Sequence, residues 1–310
     1  MPELPEVDAV VRTLAPHVVG RAVHLLHLGR ADILEPAGRF GSDAQAVPPE
    51  ALLHRGVIAR LLRRGKHMAA ITHDDRALEV HLGMTGQWFI TTQPPEQVLA
   101  VKHTHAVWAV AEPNATTLAP AASAPAPRPL LVFRDPRRFG NLKPWASAAE
   151  MLAHWDAHLG PDALHITAEA LAANLGHTKR AIKAALLDQA VLAGVGNIYA
   201  DEALFRSAIH PLRPGRSLRP AEVATLAEAI RGVLAQAVAA GGSTLRDFVN
   251  GDGEPGRYSD NHEVYGRGGR PCYRCTTTLK STVLSQRTTV FCPACQPRRG
   301  PRKEPSRATR

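Results

Sequence analysis

Residues 272–295 read CYRCTTTLKSTVLSQRTTVFCPAC and contain all four cysteines of the 310-residue chain. The pairs Cys272/Cys275 and Cys292/Cys295 are separated by a 16-residue spacer rich in Thr and Val. Two Cys-x-x-Cys pairs at this spacing are typical of a structural zinc site, in which four thiolates close the coordination shell. The spacer predicts a β-hairpin that carries Arg287. The stretch therefore predicts a zinc finger built on a β-hairpin and holding one Zn2+.

The start of the chain bears on the compartment. MPELPE is acidic and Pro-bearing, whereas a secretory signal begins basic and continues apolar. No uninterrupted apolar run reaches the roughly 20 residues that a membrane-spanning helix requires. We therefore expect a soluble, cytoplasmic protein. Disulfides are rare in that compartment, so zinc binding is favoured over a disulfide or redox role for the cysteines.

The formal net charge of +9 is concentrated at the C-terminal end. Residues 257–310 contain twelve Lys and Arg against three Asp and Glu, and the first 256 residues are balanced. A basic segment on a neutral body predicts a polyanionic partner, most often nucleic acid. For residues 297–310 alone, a solvated and disordered basic tail is an equally good interpretation.

The N-terminal part of the chain is rich in β-strand patterns. A helix is predicted over 5–19, where valines recur at helical spacing behind Pro5. Strands are predicted over 57–62, 68–72, 77–82, 87–91, 105–111 and 130–134. This pattern favours an antiparallel sandwich or barrel. Residues 113–129, PNATTLAPAASAPAPRP, cannot form a central strand and predict a flexible insertion in a hairpin.

Beyond residue 146 the pattern is helical, with helices predicted over 147–159, 167–176, 179–188, 197–207 and 220–240. The Gly194-Val195-Gly196-Asn197 turn does not predict a dinucleotide site, because Tyr199 replaces the third glycine and no strand precedes the turn. Two interpretations stay open. The turn could bind one phosphate at the start of a helix, or Asn197 could simply cap that helix.

Six motifs occur together in one order: MPELPEV at 1–7, RGK at 64–66, HLGMTG at 81–86, DPRRFG at 135–140, GVGNIY at 194–199 and the four-cysteine finger. In this the chain closely resembles bacterial formamidopyrimidine-DNA glycosylases over residues 1–296. The resemblance implies an α+β fold with an N-terminal β-sandwich, a helical helix-two-turn-helix domain and a C-terminal β-hairpin zinc finger, with DNA between the lobes. The implied bounds are 1–145 for the sandwich domain, 146–256 for the helical domain, 257–296 for the zinc finger and 297–310 for the tail. A lesion-covering loop is implied at 250–268, and it begins within the helical domain.

The resemblance also implies a monomeric, bifunctional enzyme of base-excision repair that acts on double-stranded DNA. It would remove oxidised purines, 8-oxoguanine and formamidopyrimidines, and cleave the resulting abasic site. Pro2 would be the nucleophile once Met1 is removed, because its secondary amine can form a cationic iminium with the sugar. Glu3 would donate a proton, Lys66 would serve β-elimination and Arg287 would assist δ-elimination. Without the resemblance, Pro2 and Glu3 would be interpreted as an ordinary helix start.

The remaining site residues are implied DNA contacts. Met84, Arg137 and Phe139 resemble the trio that fills the gap when the damaged nucleotide leaves the stack. Phosphate contacts are implied for His103, Lys179, Lys183 and Asn197. Lys179 lies in a segment, HTKR, that is less lysine-rich than the family's. We expect His103 and His105 to alternate on a strand, but no further ligand near them supports a metal pair.

Two alternatives to this function stay open. The first is the related endonuclease VIII type of glycosylase, which prefers oxidised pyrimidines. Leu4 and the loop at 137–139 favour the purine enzyme. The second is a non-catalytic zinc-ribbon protein that binds DNA, and this would make Pro2 and Glu3 coincidental.

Overall fold

The computed structural model of the chain describes residues 1–35, 47–114, 128–244 and 248–298. These residues form two compact units, each discontinuous in sequence. The first unit comprises residues 1–159 and 236–260, and the second comprises 160–235 and the residues after 260. The domain bounds expected from the sequence, 1–145, 146–256 and 257–296, remain predictions.

The first unit begins with helix α1 (Leu4–Val18) and contains eight antiparallel strands. The strands are β1 (Ala22–Leu28), β2 (Gly56–Arg64), β3 (His67–Thr72), β4 (Ala77–His81), β5 (Gln87–Thr91), β6 (Thr104–Ala111), β7 (Leu130–Arg134) and β8 (Asn141–Trp145). Helix α2 (Pro95–Ala100) precedes β6, and helix α3 (Ala148–His158) follows β8. Pro5 lies in the first turn of α1, where its missing N–H has no helical acceptor to lose.

The strands are ordered β5-β7-β6-β1-β2-β3-β4-β8. Strands β1 and β2 pair only through Ala22/Val57 and Val23/Gly56, whereas β1 continues along β6 to Leu28. The short β1–β2 pairing divides the strands into two groups of four. Both groups contribute side chains to one buried cluster, for example Trp108 and Phe133 from one and Met68 and Val80 from the other. The two groups therefore form the predicted β-sandwich.

Helix α1 packs its apolar stripe of Val7, Val10 and Leu14 into the same cluster. These side chains are fully buried, so each contributes on the order of 1.5–3 kcal/mol relative to an exposed position. Helix α3 begins after Ser147, whose hydroxyl accepts a hydrogen bond from the Glu150 N–H at 3.1 Å. Its residues Met151 and Trp155 pack in a separate small cluster with Trp145. In sequence, one helix, α1, therefore precedes the strands of the sandwich and another, α3, follows them.

All six predicted strands are present, within two residues at each end. The sequence pattern did not indicate strands β1 and β8. Strand β8 contains Pro144, which has no N–H for a ladder and is depleted in strands. Its position at the edge of the sheet explains why the proline is tolerated there.

The second unit contains α4 (Ala168–Leu175), α5 (Ile182–Leu186), α6 (Asn197–Arg206) and most of α7 (Pro220–Ala239). Strands β9 (Lys280–Leu284) and β10 (Arg287–Phe291) form the hairpin that the spacer between the cysteines predicts. The predicted helix 179–188 is shorter than expected: α5 begins only after a bend at Arg180 and an isolated β-bridge between Ala181 and Pro214, and it ends at Leu186. The Thr167 hydroxyl caps α4 by accepting a hydrogen bond from the Ala170 N–H at 3.2 Å. The helix therefore begins one residue after the predicted start at 167.

Two predicted flexible segments fall mainly outside the described residues. These are the insertion at 113–129, described only at 113–114 and 128–129, and the tail at 297–310, described only to residue 298. At the base of the insertion, Val110 donates its N–H to the Pro129 carbonyl at 2.9 Å, so the hairpin of β6 and β7 is closed there. None of the helices in the described ranges is long and apolar enough to cross a membrane.

Candidate active site

The N-terminal residues lead into α1 and are buried. Glu3 is the N-cap of α1 and is 2% exposed, and Pro2 is also buried, whereas Met1 is 43% exposed. Glu6 Oε2 accepts the Glu3 N–H at 2.7 Å, and Glu6 Oε1 accepts the Ser243 N–H at 2.6 Å. A carboxylate bound by two buried N–H groups holds both backbone segments in place. Pro2 and Glu3 are therefore fixed in position by their neighbour at the third helical residue.

The loop that reaches Glu6 requires glycine. Gly242 has φ +86°, and a Cβ at this residue would lie 2.8 Å from Glu6 Oε1. The backbone can approach the carboxylate only because no side chain intervenes. Residues 242–243 thus contact the side chain that fixes the N-terminus, although they lie more than 200 residues away in sequence.

Lys66 lies in the two-residue turn between β2 and β3 and is 6% exposed. Gly65 supplies the left-handed conformation of this turn, with φ +58°. Arg63 donates one hydrogen bond to Asp8 Oδ1 on α1 at 3.1 Å and another to the Gly65 carbonyl at 3.3 Å. Arg63 therefore ties the turn that carries Lys66 to the helix that begins after Glu3.

A cluster of titratable groups lies beside Lys66. His67 Nδ1 and Glu79 Oε1 are 2.7 Å apart, and Trp145 Nε1 donates to Glu79 Oε2 at 2.9 Å. Burial raises the pKa of Glu79, but the hydrogen bond and charge of His67, together with hydrogen bonds from indole N–H groups, hold the pKa below its ordinary value. Burial, together with the charges of His67 and Lys66, lowers the pKa of His81 to about 4. His81 is therefore a neutral imidazole at neutral pH.

Met84, Arg137 and Phe139 lie on two loops that the structure brings together. A Cβ on Gly83 would lie 2.3 Å from the Phe139 carbonyl carbon, so the two loops are in direct backbone contact. The buried Asp135 accepts hydrogen bonds from the Thr85 hydroxyl at 2.5 Å and from the Gly140 N–H at 2.7 Å. Met84 is 40% exposed and Phe139 56% exposed, so both apolar side chains are accessible to a ligand. The Arg137 guanidinium lies 5.1 Å from the centre of the Phe139 ring.

His103 is next to this pair of loops, but it is not in a strand as predicted. It lies one residue before β6 with φ +68°, and its carbonyl accepts the Asp135 N–H at 3.0 Å. The ring of His105 is buried and contacts the Asp135 carbonyl at 2.9 Å. The two histidines therefore do not alternate on one strand, because His103 itself has the left-handed conformation and β6 begins only at the next residue.

The predicted phosphate contacts of the second unit lie in different environments. Lys179 is exposed in the bend before α5. Lys183 is 0% exposed, and its Nζ lies 2.7 Å from Asp201 Oδ1. Burial raises the pKa of Asp201 to about 7, against the opposing effect of the Lys183 charge. In this structure Lys183 offers no exposed atom to a phosphate.

Asn197 is the first residue of α6 and does not cap it, contrary to one of the two interpretations. The N-cap is Gly196, which follows Gly194 with φ +114°. The Asn197 side chain instead donates from Nδ2 to the Thr288 carbonyl at 3.0 Å. The residue is partly exposed, although its Oδ1 atom is buried.

The four cysteines of the second unit are clustered as a metal site requires. Their Sγ atoms all lie within 4.8 Å of one another, and all four thiols are free rather than disulfide-bonded. Phe205, Val264, Leu279 and Val290 pack around Cys272 and Cys292. Four thiolates converging on one point fit a tetrahedral Zn2+ with no open coordination position. The arrangement confirms the predicted structural zinc site.

Arg287 opens β10 directly after the hairpin turn and is exposed. The turn residues Ser285 and Gln286 have φ +48° and +59°, the left-handed pair typical of a two-residue type I′ turn. Arg287 faces Leu284 across this turn. The zinc site and the tight turn together hold the guanidinium on a rigid hairpin.

Comparisons with known proteins agree with this architecture. Residues 1–142 match the family model of the formamidopyrimidine-DNA glycosylase N-terminal domain, residues 159–249 its H2TH domain, and residues 269–298 the zinc finger found in FPG and IleRS. The formamidopyrimidine-DNA glycosylase of Hahella chejuensis is 39% identical over 303 residues, which covers 96% of this chain and 100% of the relative. That of Thermomicrobium roseum is 40% identical over 309 residues, covering 96% of this chain and 99% of the relative.

Solved structures show the same similarity. The crystal structure of the MutM (Fpg) protein from Thermus thermophilus is 36% identical, with a TM-score of 0.76 and coverage of 95% of this chain and 98% of that chain. A mutant of the Lactococcus lactis Fpg in complex with a Fapy-dG containing DNA is 27% identical, with a TM-score of 0.79 and coverage of 96% and 100%. The fold and the finger define the class of zinc-finger DNA glycosylases with a helix-two-turn-helix domain. The chain belongs to the formamidopyrimidine-DNA glycosylase family.

Membership in this family confirms the predicted fold class, the enzyme class and the zinc. It contradicts the alternative of a non-catalytic zinc-ribbon protein. The roles of individual residues remain predictions. The structure adds residues to which the sequence assigned no role: Glu6, His81, Asp135 and Asp201. Glu6 had a positional signal, because a Glu three residues after an N-cap is the spacing of a capping box, and His81 and Asp135 are the first residues of two of the six motifs.

Proposed function

We propose that this chain is a bifunctional DNA glycosylase and abasic-site lyase that removes oxidised purines from double-stranded DNA. The substrates are 8-oxoguanine and formamidopyrimidines, and the nucleophile is the amine of Pro2. One observation carries the proposal: Pro2 and Glu3 are buried at the start of α1 and held there by Glu6, while Met1 is exposed. Met1 is thus accessible to removal, and its loss creates a free secondary amine at a preorganised position.

The chemistry begins at this amine. With a reference pKa near 7.7–8.0, on the order of a tenth of an N-terminal amine is neutral and nucleophilic at pH 7. Attack forms a bond from the Pro2 nitrogen to C1′ of the sugar and breaks the bond from C1′ to the base, which leaves as an anion and takes up the proton that the Pro2 nitrogen loses. Glu3, as the neighbouring acid, donates a proton to the ring oxygen as the sugar opens. The product is an iminium, which is cationic because the amine is secondary.

The iminium acts as an electron sink for two eliminations. Loss of a proton from C2′ expels the 3′ phosphate, and Lys66 is the group assigned to this proton transfer. A second elimination removes a proton from C4′ and expels the 5′ phosphate, and Arg287 is assigned to bind that phosphate as it leaves. Water then hydrolyses the iminium and releases the free Pro2 amine.

The DNA contacts follow from exposure and charge. Met84, Arg137 and Phe139 occupy the space left by the displaced nucleotide, with Arg137 bonded to the unpaired base opposite. Two exposed apolar side chains beside an arginine on loops braced by Asp135 support this role. His103, Lys179 and Asn197 are assigned to phosphates. The complex of the Lactococcus lactis relative with Fapy-dG containing DNA supports the substrate class.

Borohydride trapping tests the proposal. The matured protein is mixed with a duplex that contains 8-oxoguanine, and sodium borohydride reduces any iminium to a stable covalent complex. We expect trapping with 8-oxoguanine and less with thymine glycol, whereas the reverse preference would indicate the endonuclease VIII type. An N-terminal extension that is not removed should abolish trapping, because it converts the Pro2 amine to an amide.

Two variants locate the nucleophile and the acid. Glu3→Gln should bind damaged DNA but release the base about 100-fold or more slowly, because an amide cannot supply the proton. Lys66 is the rival nucleophile, since a lysine also forms a Schiff base with an abasic sugar. Peptide mapping of the reduced complex decides between them. A carbon–nitrogen link at Lys66 would refute the mechanism, and Lys102→Met, at an exposed lysine, serves as the control for Lys66→Met.

A further inference from the structure

The second unit contains a buried ion pair that the proposed chemistry does not use. Lys183 on α5 and Asp201 on α6 are 0% and 1% exposed, and Lys183 Nζ lies 2.7 Å from Asp201 Oδ1. Charged side chains are almost never fully buried unless they are paired. Neither group can act on solvent or ligand from this position, so the pair acts through what it contacts.

Both partners contact the backbone of β10. Lys183 Nζ donates to the Thr288 carbonyl at 3.2 Å, and the Val290 N–H donates to Asp201 Oδ2 at 3.0 Å. The Asn197 side chain donates to the same Thr288 carbonyl at 3.0 Å. Two alternate residues of β10 are therefore held from one side by α5 and α6. Arg287 immediately precedes the first of them.

The desolvation cost of the Lys183–Asp201 pair indicates that its role is more than stabilisation of the fold. Burying two charges carries a desolvation penalty that their attraction often fails to exceed, and well-packed apolar residues of the same volume are frequently as stable. The raised pKa of Asp201 reflects this penalty. A charged pair nevertheless provides directional bonds to a carbonyl and an N–H, which apolar residues cannot. It thereby sets the register of β10 against α6.

We propose that Lys183 and Asp201 are positioning residues for Arg287. They fix the Thr288 carbonyl and the Val290 N–H, and so fix where the exposed Arg287 guanidinium is presented. The inference rests on the proposed function of Arg287 in the second elimination. It also gives Lys183 a role that does not require contact with a phosphate.

The two eliminations provide the readout. The first leaves an unsaturated aldehyde on the 3′ end and the second leaves a 3′ phosphate, and the two products separate on a denaturing gel. Asp201→Asn removes the charge but keeps the size and an acceptor, and Lys183→Met removes the cation. We expect both variants to lower the ratio of δ- to β-product about tenfold. A displacement of the Arg287 guanidinium by less than ~1 Å is enough for this, because a full ~1 Å can cost on the order of 100-fold in rate. Trapping through Pro2 should stay close to that of the wild type.

Glu222→Gln is the matched control. It weakens the Arg213–Glu222 pair of the same unit, with bonds of 2.7 and 3.1 Å, which does not involve β10. This variant should retain the wild-type product ratio. Zinc content is measured for every variant, and one Zn2+ per chain shows that the finger is folded. If Lys183→Met loses zinc, the product ratios of Asp201→Asn and of the Lys183→Met/Asp201→Asn double variant test whether the pair positions Arg287.

Asp201→Asn separates the possible results. A wild-type product ratio in this variant, with zinc retained, would overturn the inference. If Lys183→Met weakens DNA binding while Asp201→Asn changes nothing, Lys183 is a direct phosphate contact and the inference is also overturned. The proposed function fails separately, when the wild type itself yields no trapped complex or no δ-product. Hydrogen exchange of the Val290 amide then still tests the pair, and we expect about tenfold faster exchange in both variants.

Discussion

Glu6 Oε2 accepts a hydrogen bond of 2.7 Å from the backbone N–H of Glu3, and both residues are almost fully buried. The other oxygen of Glu6 accepts the N–H of Ser243. One carboxylate thus binds the first turn of α1 and a loop that follows α7. The position of the N-terminus depends on a side chain that is itself remote from solvent.

Replacing Glu6 should therefore destabilise the first unit. Glu6→Ala leaves two buried N–H groups without this acceptor, and we expect a loss of about 2–6 kcal/mol at roughly 1–3 kcal/mol for each group. Denaturant unfolding measures the loss. Glu6→Gln retains one oxygen and should lose about half as much. Glu96→Ala, at an exposed position, is the control, and an equal loss in both alanine variants would contradict the prediction.

Removal of zinc should unfold the finger alone. The hairpin of β9 and β10 has a small apolar core, so the free energy of metal binding is its folding free energy. Cys272→Ser or chelation should make residues 262–298 sensitive to proteolysis and weaken DNA binding, while the apolar cores elsewhere stay folded. Elemental analysis should find one zinc per wild-type chain and per Lys280→Ala chain. Protein purified without zinc, or full DNA affinity after chelation, would refute the prediction.

His81 should make stability depend on pH in a defined range. Its pKa of about 4 in the folded chain is below the ordinary value of 6.5, so the unfolded chain binds the proton more tightly. Stability is therefore fully present above pH 6.5 and declines as the pH falls towards 4, by up to about 3 kcal/mol. The difference between wild type and His81→Gln isolates this contribution from that of the carboxylates. NMR titration of the His81 ring with a midpoint near the ordinary value of 6.5 would contradict it.

The insertion between β6 and β7 should be dispensable. Its base is closed by the bond from Val110 to Pro129, and the entropy of a loop changes slowly with its length. Deleting residues 115–126 should change the free energy of unfolding by less than roughly 1 kcal/mol and leave excision unchanged. A Gly/Ser segment of equal length is the control. A loss of more than roughly 1 kcal/mol in both the deletion and the Gly/Ser variant would show that the natural residues pack against the folded protein.

Local signals in the sequence determined the elements and the zinc site of this protein. Turn residues and alternation located six strands of the sandwich, because a side-chain period of two is a property of each strand by itself. The periodicity of apolar residues predicted the helix at 167–176, and Thr167 caps the corresponding α4. The spacing of Cys272, Cys275, Cys292 and Cys295 predicted a metal site, since each pair lies within a few residues. Strand β8 was not predicted, because Pro144 is acceptable only in an edge strand. Which strand lies at the edge depends on the order of the strands in the sheet, and this order is not a local property of the sequence.

Only the tertiary structure decided the state of the charged residues. Lys183 resembles a surface phosphate ligand in sequence, yet it is fully buried because Asp201 on another helix neutralises it. His81 opens the HLGMTG motif, but its neutral form follows from burial beside His67 and Lys66. The buried setting of Glu3 depends on Glu6 and on a glycine loop more than 200 residues away. Burial and ion pairing are sums over neighbours from distant parts of the chain, so the pattern of nearby residues could not specify them.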